Sequence, residues 1–220
     1  MKTHPIYTRC AAEFVAKDCD RATVDVDLKD TAKLIRATLK AHFPGVKFSV
    51  RSDRYAGGSS IRVDWMDGPG QETVQAVVAP YASRGFDGMI DMAYCKGGWL
   101  YPDGSAGLRT SQGGERSGGS APAYDMPAAS PDAVPVRFGP SYVTAQRDKS
   151  RAYMAGLVAA YAEAKDDPLA EAIRAGRVYA AGEDRYAYAE GAGAILLSEA
   201  GPAVWGDTAL HRFDCERLAA

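Results

Sequence analysis

Residues 27–43 read DLKDTAKLIRATLKAHF, in which Leu28, Ala32, Ile35, Leu39 and Phe43 recur at helical spacing and Leu34 widens the apolar stripe. Asp27 is placed to accept from the free N–H groups of the first turn, Asp30 lies at the positive end of the helix dipole, and Pro44-Gly45 stops the helix. An amphipathic helix is therefore predicted here.

Directly after it the period changes from 3.6 to 2. In VKFSVR, Val46, Phe48 and Val50 share one face and Lys47, Ser49 and Arg51 the other. In SIRVDW, Ile61, Val63 and Trp65 alternate with Arg62 and Asp64. Two half-buried strands are predicted, joined by SDRYAGGSS, whose length and glycine content predict a mobile loop with Arg54 and Tyr55 near its tip. DGPGQETVQAVVAPYAS follows with turn chemistry and then Val74, Val77, Val78 and Tyr81 at helical spacing. GFDGMIDMAY, residues 85–94, is read as a third strand of the same sheet. The expected module is a two-layer α-β-β-α-β unit ending near residue 95, with both helices on the apolar face of the sheet.

The pattern fades between residues 96 and 135, where SQGGERSGGSAPA and its flanks are too poor in apolar residues to build a core. This stretch is read as a linker or long loop, with Trp99, Leu100 and Tyr101 anchored against a surface. Beyond it, VRFGPSYV suggests a short strand. RDKSRAYMAGLVAAYAEAKDD then predicts a helix burying Tyr153, Met154, Leu157, Val158 and Tyr161, and Pro168 begins a shorter helix through Arg174 that Gly176 would cap. Residues 136–220 are read as mainly helical. The fold class predicted for the whole chain is α+β.

Composition changes this picture little. The 220 residues are 46% hydrophobic and 25% charged, proportions of a folded globular chain. A formal net charge of −2 gives no global field toward nucleic acid or an anionic membrane, though local patches remain open. The four cysteines, Cys10, Cys19, Cys95 and Cys215, form no CxxC pair and no zinc spacing, so free thiols, a reducing compartment and no metal or cofactor are expected. No apolar run follows Met1, and a cytoplasmic protein without a membrane anchor is expected.

The run KFSVRSDRYAGGSSIRVDWMDGP, set between DTAKLIRATLKAHFPGV and ETVQAVVAPYASRGFDGMID, resembles a known family, the large polyvalent protein-associated domain, number twenty-nine of its series. KFSVR, YAGGSSI, VDW and DGP occur in order with a helix on either side, and residues 25–95 carry the likeness. VRFGPSYVTAQRDKS is similar to segments that often follow the domain. The resemblance implies service to a phage, plasmid or other mobile element inside a host cell, and implies no reaction and no catalytic residue.

Two surfaces are candidates for binding. Lys47, Arg51 and Arg62, with Arg54 and Tyr55 of the loop, bring cations and an aromatic ring onto one sheet face suited to phosphate or base contacts. Asp53, Asp64 and Asp67 are near enough in sequence to neutralise it, which would make it an ordinary solvated surface. Tyr186 and Tyr188, within AGEDRYAYAEG beside Glu183, Asp184 and Glu190, suit a protein contact or a small core equally well. YAGGSS lacks the lysine and the strand-loop-helix setting of a phosphate loop. HRFDCE places His211 and Cys215 at i, i+4, a weak signal for a Cys-His nucleophile.

Together these readings predict a non-catalytic mobile-element protein that inhibits a host defence protein or ribonucleoprotein, as anti-CRISPR proteins do. The alternatives are a nucleic-acid-binding accessory using the basic face and an enzyme whose residues converge only in the folded state. Oligomeric state is left open.

Overall fold

The structure is a computed structural model that describes residues 3–17, 22–87, 91–109, 126–175, 178–181, 186–189, 193–196 and 209–219. The chain is α+β and divides into two compact units, one of residues 1–64 and 71–146, the other of residues 65–70 and 147–220.

The first unit begins with a helix absent from the sequence reading, α1 (Pro5–Ala16), where Pro5 occupies the first turn and the His4 ring accepts from the Ile6 N–H. It packs on β1 (Val24–Val26) and on β8 (Val134–Phe138), burying Ile6 and Cys10. Helix α2 (Leu28–His42) forms as the periodicity predicts. The Asp27 carboxylate caps it by accepting from the Asp30 N–H at 2.7 Å, and Leu28, Ala32, Leu34, Ile35 and Leu39 are buried. Strands β2 (Phe48–Tyr55) and β3 (Gly58–Met66) follow, then α3 (Gln71–Val78) and a short 3₁₀ turn, Ala79–Tyr81.

The fold departs from the sequence expectations in three places. The β2–β3 connection is only Ala56-Gly57, because Gly57 adopts φ +91° and lets the chain reverse in two residues, so the strands continue through the polar stretch taken as loop. Residues 85–94 do not join that sheet: β4 (Arg84–Asp87) and β5 (Met92–Cys95) pair with each other, and the third strand beside β3 is β9 (Tyr142–Asp148). The reason lies in β9's own alternation, which buries Val143 and Ala145. Nor does the unit end near residue 95. Strands β6 (Gly98–Leu100) and β7 (Ala106–Leu108), drawn from the expected linker, form with β1 and β8 a four-stranded sheet of order β1-β8-β6-β7, in which β1 and β8 run parallel. Residues 110–125 of that stretch lie outside the described residues.

Tyr81 locks this unit. Its ring is fully buried, 5.1 Å from that of Phe138, and its hydroxyl is shared with Thr38 Oγ1 at 2.7 Å and bonded to the Gly104 carbonyl at 2.8 Å. Burial drives the Tyr81 pKa well above the ordinary phenol value, so the ring stays neutral and its proton stays in the network.

In the second unit α4 (Arg151–Ala164) starts at a Ser150 cap, and α5 (Pro168–Arg174) starts at an Asp167 cap. With α6 (Ala209–Ala219) they bury Met154, Leu157, Tyr161, Ala170, Leu210 and Phe213, the stripe predicted for α4 supplying half of the cluster. The C-terminal part also carries an antiparallel sheet, β10 (Val178–Ala181), β11 (Tyr186–Ala189) and β12 (Gly193–Leu196), which the helical reading did not include.

Candidate functional site

The end of the β2–β3 hairpin is exposed among the described residues. Residues 51–57 are exposed one after another, because this polar stretch has no apolar face to bury and is held by the ladder and the two-residue turn. Its β3 strand is fixed just after the turn: the Ser59 hydroxyl donates to the Gly139 carbonyl at 3.0 Å, and the Ser141 N–H donates to the Ser59 carbonyl at 2.7 Å. Tyr55 remains 47% exposed, with its ring lying across Gly58, where an added Cβ would meet it at 3.2 Å.

The cations of the hairpin fall into two kinds, and because β2 runs through Tyr55, Arg51 and Arg54 stand on opposite faces of the strand and not on the one face the sequence predicts. Arg62 is neutralised by Asp64, Nε to Oδ1 at 2.8 Å. Arg51 and Arg54, together with Lys47 just before β2, are exposed and form no ion pair among the described residues. Asp53 does not quench Arg54 by its charge pairing; its Oδ1 accepts from the Arg54 backbone N–H at 2.9 Å. Asp67 belongs to the second unit, where its carboxylate accepts from the Ser150 N–H. The hairpin end is thus a basic tip with one exposed aromatic ring, while Arg62 contributes a paired charge.

The tyrosines of the second surface lie on β11. Tyr186 stands in register with Ala181 and Leu196, and Tyr188 with Tyr179 and Ala194, while Glu183, Asp184 and Glu190 lie outside the described residues. His211 and Cys215 do meet on α6, with Sγ 3.7 Å from Nε2. The thiol is free and exposed. Cys10 and Cys95 are also free thiols, and Cys19 lies outside the described residues.

A third place was not legible in the sequence. The first unit has a cleft of about 490 Å³ into which Lys96, Arg109 and Arg137 converge, with Asp25 and Cys95 on its walls. The parallel pairing of β1 and β8 sets Asp25 opposite Arg137, and the carboxylate takes Arg137 Nε at 2.7 Å across 112 positions of sequence. Arg109 Nη1 donates to Thr23 Oγ1 at 3.0 Å and its guanidinium stacks 5.3 Å from the Trp99 ring. No linear motif brings such residues together. The pairing of β1 with β8, β8 with β6 and β6 with β7 does.

Among the described residues no group of three His, Cys, Asp or Glu side chains is placed to hold a metal ion, and no helix is long and apolar enough to cross a membrane.

No curated protein and no solved structure matches the chain. One family model does, over residues 26–150, so the matched stretch starts at β1 and runs through β9 into the Ser150 cap. It takes in the strands of residues 98–148 that the motif-based likeness over residues 25–95 left outside the domain or beside it. The chain belongs to the family of the large polyvalent protein associated domain 29, a domain associated with phages and mobile elements.

Proposed function

We propose that this chain is a non-catalytic accessory protein of a mobile element, acting inside the host cell, and that it inhibits a host defence ribonucleoprotein by binding it through the tip of the β2–β3 hairpin. The observation that carries the reading is the tip itself: consecutive exposed residues 51–57, two arginines without ion pairs among the described residues, and a half-exposed tyrosine, all on an anchored ladder. Arginine and tyrosine are the side chains that carry binding energy in protein interfaces, and a ladder presents them at a lower entropic cost than a free loop. The family's association with mobile elements supplies the setting.

The test is co-purification of the tagged chain from a host lysate containing an active defence complex, beside a variant carrying Arg51→Glu, Arg54→Glu and Tyr55→Ala. Recovery of the complex by the native chain alone supports the proposal. Equal recovery by both proteins, or recovery of no defence subunit, contradicts it.

The same unpaired arginines favour a second reading, in which the tip contacts nucleic acid directly. That reading requires affinity that falls steeply with salt, since each phosphate contact releases counterions. Retention of the partner in moderate salt after nuclease treatment speaks for the protein contact.

A further inference from the structure

Lys96 is the unusual member of the cleft in the first unit. Its ammonium is part-buried and makes no ion pair among the described residues; the contact it does make is with the Tyr94 ring, 6.0 Å from the centroid. Burial pushes its pKa below the ordinary lysine value, with no carboxylate offsetting the loss of hydration. A cation held this way is stabilised by any anion that enters beside it.

The neighbours are arranged to supply the rest of an anion site. Arg109 is held by Thr23 and by the face of Trp99, so its orientation is set before anything binds. Asp25 engages Arg137 through Nε, which leaves the terminal guanidinium nitrogens available for a second acceptor. Three cations face a single carboxylate in a space of about 490 Å³, the size of a small-molecule site.

We propose that this cleft binds a phosphate group, either as the free inorganic ion or as the phosphomonoester of a small molecule of nucleotide size, through Lys96, Arg109 and Arg137. Guanidinium groups match the oxygen geometry of a phosphate, and the ammonium adds a point charge. The site shares no residue with the hairpin tip, so it is a second binding function of the same domain.

The experiment is calorimetric titration of the full chain with inorganic phosphate, with a nucleoside 5′-monophosphate, with the corresponding nucleoside, and with a single-stranded oligonucleotide lacking terminal phosphates. Saturable binding of inorganic phosphate and of the nucleotide, and none of the nucleoside, is expected. Binding by inorganic phosphate as tight as by the nucleotide assigns the free ion as the ligand, and tighter binding by the nucleotide assigns the small molecule. Lys96→Ala and Arg137→Gln should each weaken binding by about tenfold or more, the size expected for losing one charge-assisted hydrogen bond, and Lys96→Arg should retain it. Unchanged far-UV circular dichroism of the variants separates lost binding from lost folding. No saturable phosphate binding at millimolar concentration, binding indifferent to both substitutions in folded protein, or binding of the oligonucleotide alone would overturn the proposal.

Discussion

Arg147 Nη1 lies 2.8 Å from Asp214 Oδ2 with both side chains buried, 5% and 1% exposed. The same carboxylate receives Lys149 Nζ at 2.9 Å and the Tyr153 hydroxyl, and the Arg147 guanidinium sits 4.8 Å from the Tyr153 ring. One carboxylate near the C-terminus thus gathers the end of β9 and the first turn of α4 within the second unit.

Replacing Asp214 by Asn should therefore destabilise that unit by about 3 kcal/mol or more, because buried cations lose their counter-charge while the shape of the side chain is kept. Hydrogen exchange followed by mass spectrometry reads this locally. Amides of α4 and α6 should exchange faster in the variant, and those of α2 should not. Unchanged protection of α4 would show that the cluster contributes little.

Acid should loosen both units through two different carboxylates. At Asp30 the Lys33 hydrogen bond is the largest influence; together with Arg9 it outweighs burial and holds the carboxyl below its ordinary value. At Asp214 burial is the largest influence and acts upward, but the Tyr153 hydroxyl, Lys149 and Arg147 outweigh it and the pKa is again lowered. A depressed folded pKa means that the stabilisation is complete above the unfolded value, about 3.9, and is lost as pH falls through the folded one. Urea unfolding should thus show stability falling below about pH 4. In Asp30→Asn the first unit should start less stable and lose less between pH 5 and pH 2, on the order of 1 kcal/mol less. An identical pH slope in that variant would contradict the assignment.

Tyr81→Phe tests the polar lock of the first unit. The change keeps the ring against Phe138 but removes the hydroxyl shared by Thr38 and the Gly104 carbonyl, leaving buried polar atoms unpaired. A loss of about 1–3 kcal/mol is expected, read as a lower urea midpoint with an unchanged slope.

Helix α2 and the two strands after it were legible in the sequence because each buries one face and so leaves a period in the chain. Leu28, Ala32, Ile35 and Leu39 show it for the helix, and Ile61, Val63 and Trp65 for β3. The hairpin's true length was hidden because Ser52 to Tyr55 are exposed and carry no apolar alternation, so their strand character comes from pairing alone. Short strands such as β1 and β6 have three residues each, too few to show a period, and the partner they share, β8, lies far along the chain. The candidate tip was found from Arg54 and Tyr55 beside glycines. The cleft was not, since Asp25, Lys96, Arg109 and Arg137 come from four separate segments brought together by the β1–β8, β8–β6 and β6–β7 pairings.

Gly139→Ala should damage the start of α2 from a distance in sequence. A Cβ at that position would lie 2.6 Å from the Leu28 nitrogen and 2.9 Å from the Asp27 carbonyl carbon, both backbone atoms that cannot step aside. A cost of about 1–3 kcal/mol and faster exchange of the first-turn amides of α2 are expected. Normal exchange there would mean that the loop of residues 139–141 yields without strain.

The central claim, that the hairpin tip engages a host defence complex, is tested most directly by the establishment of an invading element in cells with an active defence system. The native chain should raise establishment, and the Arg51→Glu, Arg54→Glu double variant, folded as judged by an unchanged melting curve, should lose at least about tenfold of that gain, the cost of removing one or two interfacial arginine contacts. No gain from the native chain, or an equal gain from the folded variant, would contradict the account.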